Sequence, residues 1–306
     1  MKHVVMFSGG IGSFAAAHRV MHKHGRAITL LFADTLIEDA DLYRFLIEGS
    51  AHLTGVAGMG EVSGLAARAV NTPPSDDEHM EERRAHLAAL RADTRQVIPG
   101  LAWVADGRTP WEVFRDRRFL GTARVAQCSQ ELKQKMADAW LVAHCDPAST
   151  VCYVGIDWTE EHRFDRLRVR HGTAGWTYRA PLCDAPTYSP DAGVALLASC
   201  RIKAPRLYAL GFAHNNCGGG CVRAGIGHFT HLYRTLPAVY AQWEAGEQQM
   251  REFLERDDIA ILKDRTRGET TPLTLVQLRR RLDAGHQPDF FEISGCGCFV
   301  DGEDAA

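Results

Sequence analysis

HVVMFSGGIGSFAAAHRV, residues 3–20, carries an apolar run straight into Ser-Gly-Gly-x-Gly-Ser and out again into a helical pattern. Val4 to Phe7 is apolar and β-branched without alternation, which predicts a strand covered on both faces. Ser13 to His24 predicts a helix with Phe14, Ala17 and Met21 on one stripe and Gly25 as its stop. So abrupt a bend leaves the first amide N–H groups of the helix unpaired at the positive end of its dipole. Gly9, Gly10 and Gly12 let the backbone approach an anion, and Ser8 and Ser13 add hydroxyls, so the corner reads as a phosphate cradle. A tight strand–helix turn with no ligand is the alternative. No Gly-Lys-Ser/Thr follows, and Gly9-Gly10-x-Gly12 does not fit Gly-x-Gly-x-x-Gly, which excludes two common phosphate loops.

The same rhythm continues outward. Ala27 to Ala33 predicts a second buried strand ending at Asp34-Thr35, and EDADLYRFLIEG a helix closed by Gly49. Alternating strand and helix predicts an α/β fold with a doubly wound, mainly parallel sheet. Residues 55–100 read as an insertion, with NTPPSDD an exposed loop and EHMEERRAHLAALRAD a charged surface helix. LAWVAD predicts a third strand, SQELKQKMADAWLVAH a helix carrying Lys133, and VCYVGI a fourth strand before Asp157. SPDAGVALLASC predicts a helix with Ser189-Pro190 as cap and first turn. From Arg223 onward the pattern is mostly helical. The expected organisation is an α/β domain over residues 1–222 and a helical region over 223–306 with a cysteine-bearing tail.

Of 306 residues, 45% are hydrophobic and 24% charged, as expected of a globular protein. A net charge of −3 argues against a surface that is basic throughout, but allows a local basic groove. No apolar stretch has the length of a membrane span and none resembles a leader, so the expected location is cytoplasmic. There, nine cysteines read as thiols, metal ligands or catalytic groups rather than disulfides. Cys145, Cys152, Cys183 and Cys200 lie in apolar or helical contexts and are expected to be core thiols.

The glycine corner resembles the Ser-Gly-Gly-x-x-Ser pyrophosphate loop, or PP-loop, of the ATP pyrophosphatases, although Gly12 stands where many members have Asp. The likeness extends in order along the chain and is nearest to the phosphoadenosine phosphosulfate reductase branch. LLFADT resembles that family's second strand. ARVAQCSQELK resembles its Cys-Cys-x-x-x-Lys stretch, keeping Cys128 and Lys133 with Ser129 in place of a second cysteine. VGIDWTEEHR is similar to Gly-x-Arg-x-x-Glu-Ser-x-x-Arg through Gly155, Glu160 and Arg163, with Asp157 where the family often has Arg. APLCDAP and PRLYALGFAHNNCGGGC resemble its later Pro-Leu and Leu-Tyr-x-x-Gly segments and cysteine pair.

The resemblance implies that ATP with Mg²⁺ binds at Ser8, Gly9, Gly10, Gly12 and Ser13, with Glu160 beside it. Attack on the α-phosphorus would then release pyrophosphate and leave an adenylated acceptor, with Lys133 and Arg163 as the cations that stabilise the transferred charge. Asp34 would accept from ribose or hold Mg²⁺; a turn aspartate is its other reading. His214, Asn215 and Asn216 would bind substrate or order their loop. In iron–sulfur relatives, cysteines at the positions of Cys128, Cys217 and Cys221 hold a [4Fe–4S] cluster, and Cys296 or Cys298 of the tail would complete it. Zn²⁺ on His214, Cys217, Cys221 and His228, a persulfide carrier, and thiols merely riding on a flexible glycine loop are the alternatives.

The activity this implies is sulfur incorporation into nucleic acid, either DNA phosphorothioation or tRNA thiolation, with a cysteine desulfurase as sulfur partner. Arg163, Arg166, Arg168 and Arg170 in HRFDRLRVRH would track a phosphate backbone; a solvated strand or loop is the other reading. A sulfonucleotide reductase working with thioredoxin through catalytic Cys296 or Cys298 is the second expectation. A noncatalytic nucleotide-binding subunit is the third.

Overall fold

The computed structural model describes residues 1–265 and 269–286. Its centre is a five-stranded, all-parallel sheet in an α/β fold. The strands are β1 (Lys2–Met6), β2 (Thr29–Asp34), β3 (Leu101–Ala105), β4 (Thr150–Tyr153) and β5 (Thr177–Arg179), in the order β3-β2-β1-β4-β5. β1 thus sits in the middle, and the chain first builds outward on one side of it and later on the other.

Alternate residues of each strand feed two different cores, as a pleated strand covered on both faces requires. Val5 and Phe7, Leu30 and Phe32, and Val151 and Tyr153 join one cluster. Helices α1 (Ile11–His24), α2 (Ala40–Thr54), α3 (Met59–Val70) and α4 (Met80–Val97) contribute most of the rest, together with Leu101 and Trp103 of β3. Val4 and Met6, Leu31 and Cys152 face the other way, against α6 (Lys135–His144) and α7 (Glu161–Gly172). The remaining helices before residue 223 are α5 (Pro110–Arg117), α8 (Pro190–Ser199) and the single turn α9 (Arg206–Ala209).

Several predicted elements stand where expected. Gly25 takes φ 83° and donates its amide to Met21 O, ending α1. Ser189 caps α8 through Ala192 N, with Pro190 in the first turn. Other expectations are corrected. Gly49 does not close α2, which runs on to Thr54 and stops at left-handed Gly55. Gly49 is instead an interior position against which the rings of Phe14 and Phe7 pack. Residues 55–100 also contribute to the main core, Val62, Leu65, Leu87 and Leu90 of α3 and α4 being buried in it. Arg83 of the expected surface helix is 3% exposed and donates to the carbonyls of Leu36, Glu38 and Pro73. HRFDRLRVRH is neither strand nor loop but lies in α7.

Beyond residue 223 lie α10 (Ile226–Thr235), α11 (Pro237–Leu254), the hairpin β6 (Leu262–Asp264) and β7 (Thr271–Leu273), and α12 (Leu275–Asp283). Their apolar side chains share one cluster with Ile37, Phe114, Leu207 and Phe212, so the region is seated on the α/β body. Among the described residues no helix is long and apolar enough to cross a membrane.

Glu247 of α11 is 1% exposed and accepts from Ile261 N at 2.8 Å and Leu275 N at 2.6 Å, tying the hairpin and α12 to α11. Burial pushes its carboxyl up to about 7 from an ordinary 4.5. The folded state therefore holds this proton more tightly than the unfolded chain. Its contribution to stability is complete below about pH 4.5 and is lost as pH rises through about 7, on the order of 3 kcal/mol in all. Glu247→Gln has nothing to titrate and offers one acceptor to two amides. Its deficit relative to wild type should be largest near pH 5 and shrink toward pH 8 in denaturant unfolding; a deficit independent of pH would contradict this.

Candidate functional site

β1 and β4 end side by side, and the glycine corner bends between them. Gly9 sits at φ 78°, in the region glycine reaches without strain, and Gly10 takes the cap position of α1. Ser13 Oγ donates to Gly10 O at 2.8 Å. Asn215 Nδ2 donates to Gly9 O at 2.8 Å, and Ile11 N donates to the hydroxyl of Tyr208 at 3.2 Å. The corner is thus braced from outside by two side chains 206 and 197 residues away.

Behind it, Gly155 lies so close that an added Cβ would stand 2.9 Å from both N and Cα of Ser13. Those neighbours are backbone and cannot rotate aside. Gly155→Ala should therefore cost about 1–3 kcal/mol and displace the first turn of α1. Thermal unfolding and the amide shifts of Gly12 and Ser13 check this, and an unperturbed corner would contradict it.

A cleft of about 170 Å³ opens over the corner. Ser8, Gly10, Gly12, Ser13, Lys133, Arg163, His214, Asn215 and Asn216 all line it, so residues expected to act together do meet. Gly9 does not line it. Lys133 is carried on a π-helical turn, Ser129–Gln134, which precedes α6 and interrupts the expected continuous helix. Such turns are frequent at functional sites because the widened coil re-aims side chains. Lys133 is 5% exposed, and its Nζ lies 3.3 Å from Glu38 Oε1.

Arg163 projects from α7 into the cleft and pairs with Glu160, which itself does not line the cleft. Among the described residues, two buried atoms of the lining find no hydrogen-bond partner: Arg163 Nε, a donor, and Asn215 Oδ1, an acceptor. Buried polar groups ordinarily find partners, so an unsatisfied pair in a cleft marks room for a polar guest.

Asp34 is not brought to the cleft. It is 1% exposed; Oδ1 accepts from Leu36 N and Tyr43 Oη, each at 2.8 Å, and Oδ2 from Trp103 Nε1 at 3.0 Å. It holds Leu36 at φ 65°, the turn-forming role. Despite those donors, burial raises its carboxyl above the ordinary range.

Two residues were not singled out in the sequence. Glu38 is 2% exposed and joins three segments, accepting from Thr35 Oγ1 at 2.9 Å and from Cys217 N, beside Lys133. Burial raises its carboxyl, with Lys133 opposing that shift. Tyr208 lines the cleft, and burial raises its phenol, which keeps its proton available to an acceptor there. Its position in PRLYALGF was the only sign of it; Glu38 had none, since its partners are distant in sequence.

Cys217 and Cys221 are each 7% exposed, and both pack with Cys128 into the C-terminal apolar cluster. The loop between them is anchored at its start by Cys217 N, which donates to Glu38. Among the described residues, neither these three thiols nor the set His214, Cys217, Cys221 and His228 gathers within the 4.8 Å of one another that marks a single-ion site. His228 instead meets Gly219 O at 2.6 Å. Cys296 and Cys298 lie outside the described residues. Comparison with family models, with curated proteins and with solved structures finds no match.

Proposed function

We propose that the chain is a PP-loop enzyme of doubly wound α/β type. In this reading it cleaves ATP to AMP and pyrophosphate, adenylating a nucleic-acid acceptor for sulfur incorporation. The observation that carries the reading is the meeting of the glycine corner, Lys133 and Arg163 in one cleft beside β1, where the strand order reverses. Ligands of open α/β sheets bind at such reversals, outside the strand ends. Helices on both faces of the sheet support the double winding.

The cleft is smaller than the roughly 300 Å³ at which pockets for drug-sized ligands begin. It would enclose phosphates and leave the nucleoside at its open side. The β,γ-phosphates would take the amides of Gly12 and Ser13 and the hydroxyls of Ser8 and Tyr208, the Ser13 hydroxyl and the Ile11 amide being already engaged on Gly10 O and Tyr208 Oη. Arg163 Nε and Lys133 would face the α-phosphate, where negative charge grows as pyrophosphate departs. Mg²⁺, when bound, would neutralise the phosphate oxygens that no side chain reaches.

The acceptor class rests on α7. Arg163, Arg166 and Arg170 fall at helical spacing on one face of α7, with Arg163 at the cleft, whereas Arg168 pairs with Asp165. A row of cations leading to a phosphate-binding cleft suits a polyanion. Cys217 and Cys221 lie in one apolar cluster with the half-buried Cys128 packed against it; with Cys298 these are the residues that would hold a [4Fe–4S] cluster, which would supply electron or sulfur chemistry.

The test is product analysis with Mg·ATP, DNA or tRNA, and a desulfurase with cysteine. AMP and pyrophosphate in equal amounts are expected. ADP and phosphate, or no turnover, would overturn the reading. Sulfite from a phosphosulfate nucleotide with reduced thioredoxin would replace it by sulfonucleotide reduction.

A further inference from the structure

His18, His52 and Cys200 meet far from one another in sequence, and their ligand atoms lie within 4.8 Å of each other. None of them lines the cleft over the glycine corner. Cys200 was expected to be a core thiol, but it is only half-buried and opens, with His52, on a second cleft of about 680 Å³. We propose that these three side chains form a divalent-metal site of the zinc class, independent of nucleotide binding.

The chemistry of the set is the first reason. Two imidazoles and one thiolate are nitrogen and sulfur donors of the kind Zn²⁺ takes in tetrahedral sites, and three protein ligands leave a fourth position for water or a guest. The fold is the second. His52 lies in the last turn of α2, and Cys200 is the C-terminal cap of α8. Two of the three ligands therefore sit at helix C-termini, the negative end of the dipole, where a cation is stabilised. Orientation is the third. Phe14, fully buried, lies 6.2 Å from each imidazole between ring centres and limits how either ring can turn.

The second cleft suggests what would take the fourth position. Its charged lining is Arg26, Arg201 and Lys203 against Glu48, and Glu48 is paired with Arg44. The surplus is positive, which suits a small anionic guest such as a carboxylate.

The experiment is titration of metal-free full-length protein with Co²⁺, followed by displacement with Zn²⁺. One Co²⁺ per chain with tetrahedral bands and a thiolate charge-transfer band is expected. Cys200→Ser should lose the thiolate band, and His52→Gln should weaken uptake. A Cys217→Ser/Cys221→Ser double variant should keep the spectrum. Zn²⁺ should raise the melting temperature of the wild type and not that of Cys200→Ser. Absence of uptake, or a thiolate band that survives Cys200→Ser and vanishes in the double variant, would overturn the assignment. Neither outcome depends on ATP turnover.

Discussion

Replacing Lys133 with methionine should slow pyrophosphate release from ATP by roughly 10²–10³-fold, the usual cost of removing one preorganised group that stabilises transition-state charge. The fold should survive. Lys133 stands in the cleft with its ammonium held 3.3 Å from Glu38, so its position is fixed before any ligand arrives. Methionine keeps the length and the apolar stem. The partner left behind is a carboxyl that burial already raises, and without the ammonium it takes up a proton rather than remaining a buried anion. Single-turnover pyrophosphate release and denaturant unfolding, run on the same variant, separate the two effects. A rate within a few-fold of wild type would remove Lys133 from the mechanism.

The opposite substitution should act on stability. Glu38→Ala removes the carboxylate beside the Lys133 ammonium, whose side chain is only 6% exposed, and deprives Thr35 Oγ1 and Cys217 N of their acceptor. Breaking one side of a buried pair typically costs about 3–5 kcal/mol. The loop bearing Cys217 should loosen with it, because that amide bond fastens it to the turn after β2. Glu38→Leu combined with Lys133→Met should recover much of the loss, since the two residues interact and their effects do not add. The denaturant midpoint at neutral pH reads both. A single variant near wild-type stability, or a double variant no better than the single, would contradict the pairing.

The asymmetry between these two residues reflects what the sequence could disclose. Lys133 was legible through the stretch around it. Glu38 was one acid among several in IEDADLYR, and its burial depends on a lysine and an amide brought in from elsewhere in the chain. The first four strands were legible as apolar runs. β5 was not: its three residues alternate exposed, buried, exposed, too short for a period to show. α5 left a sign that went unread, since Thr109 and Glu112 form a capping box with Pro110 in the first turn. α3 hid behind Gly60 and Gly64, residues that weaken a helical pattern without preventing the helix once its apolar stripe is buried. The cleft was legible in part: the ends of β1 and β4 deliver Ser8 and Gly155 to it, whereas Asp34 at the end of β2 turns into the core instead.

The central claim is that the amides and hydroxyls from Ser8 to Ser13 hold the terminal phosphates of ATP. A crystal structure with Mg²⁺ and an ATP analogue that cannot be cleaved between the α- and β-phosphates tests it most directly. The account predicts the β,γ-phosphates on the first turn of α1, with the α-phosphate toward Lys133 and Arg163. Nucleotide bound at another edge of the molecule, with that turn unoccupied, would contradict it.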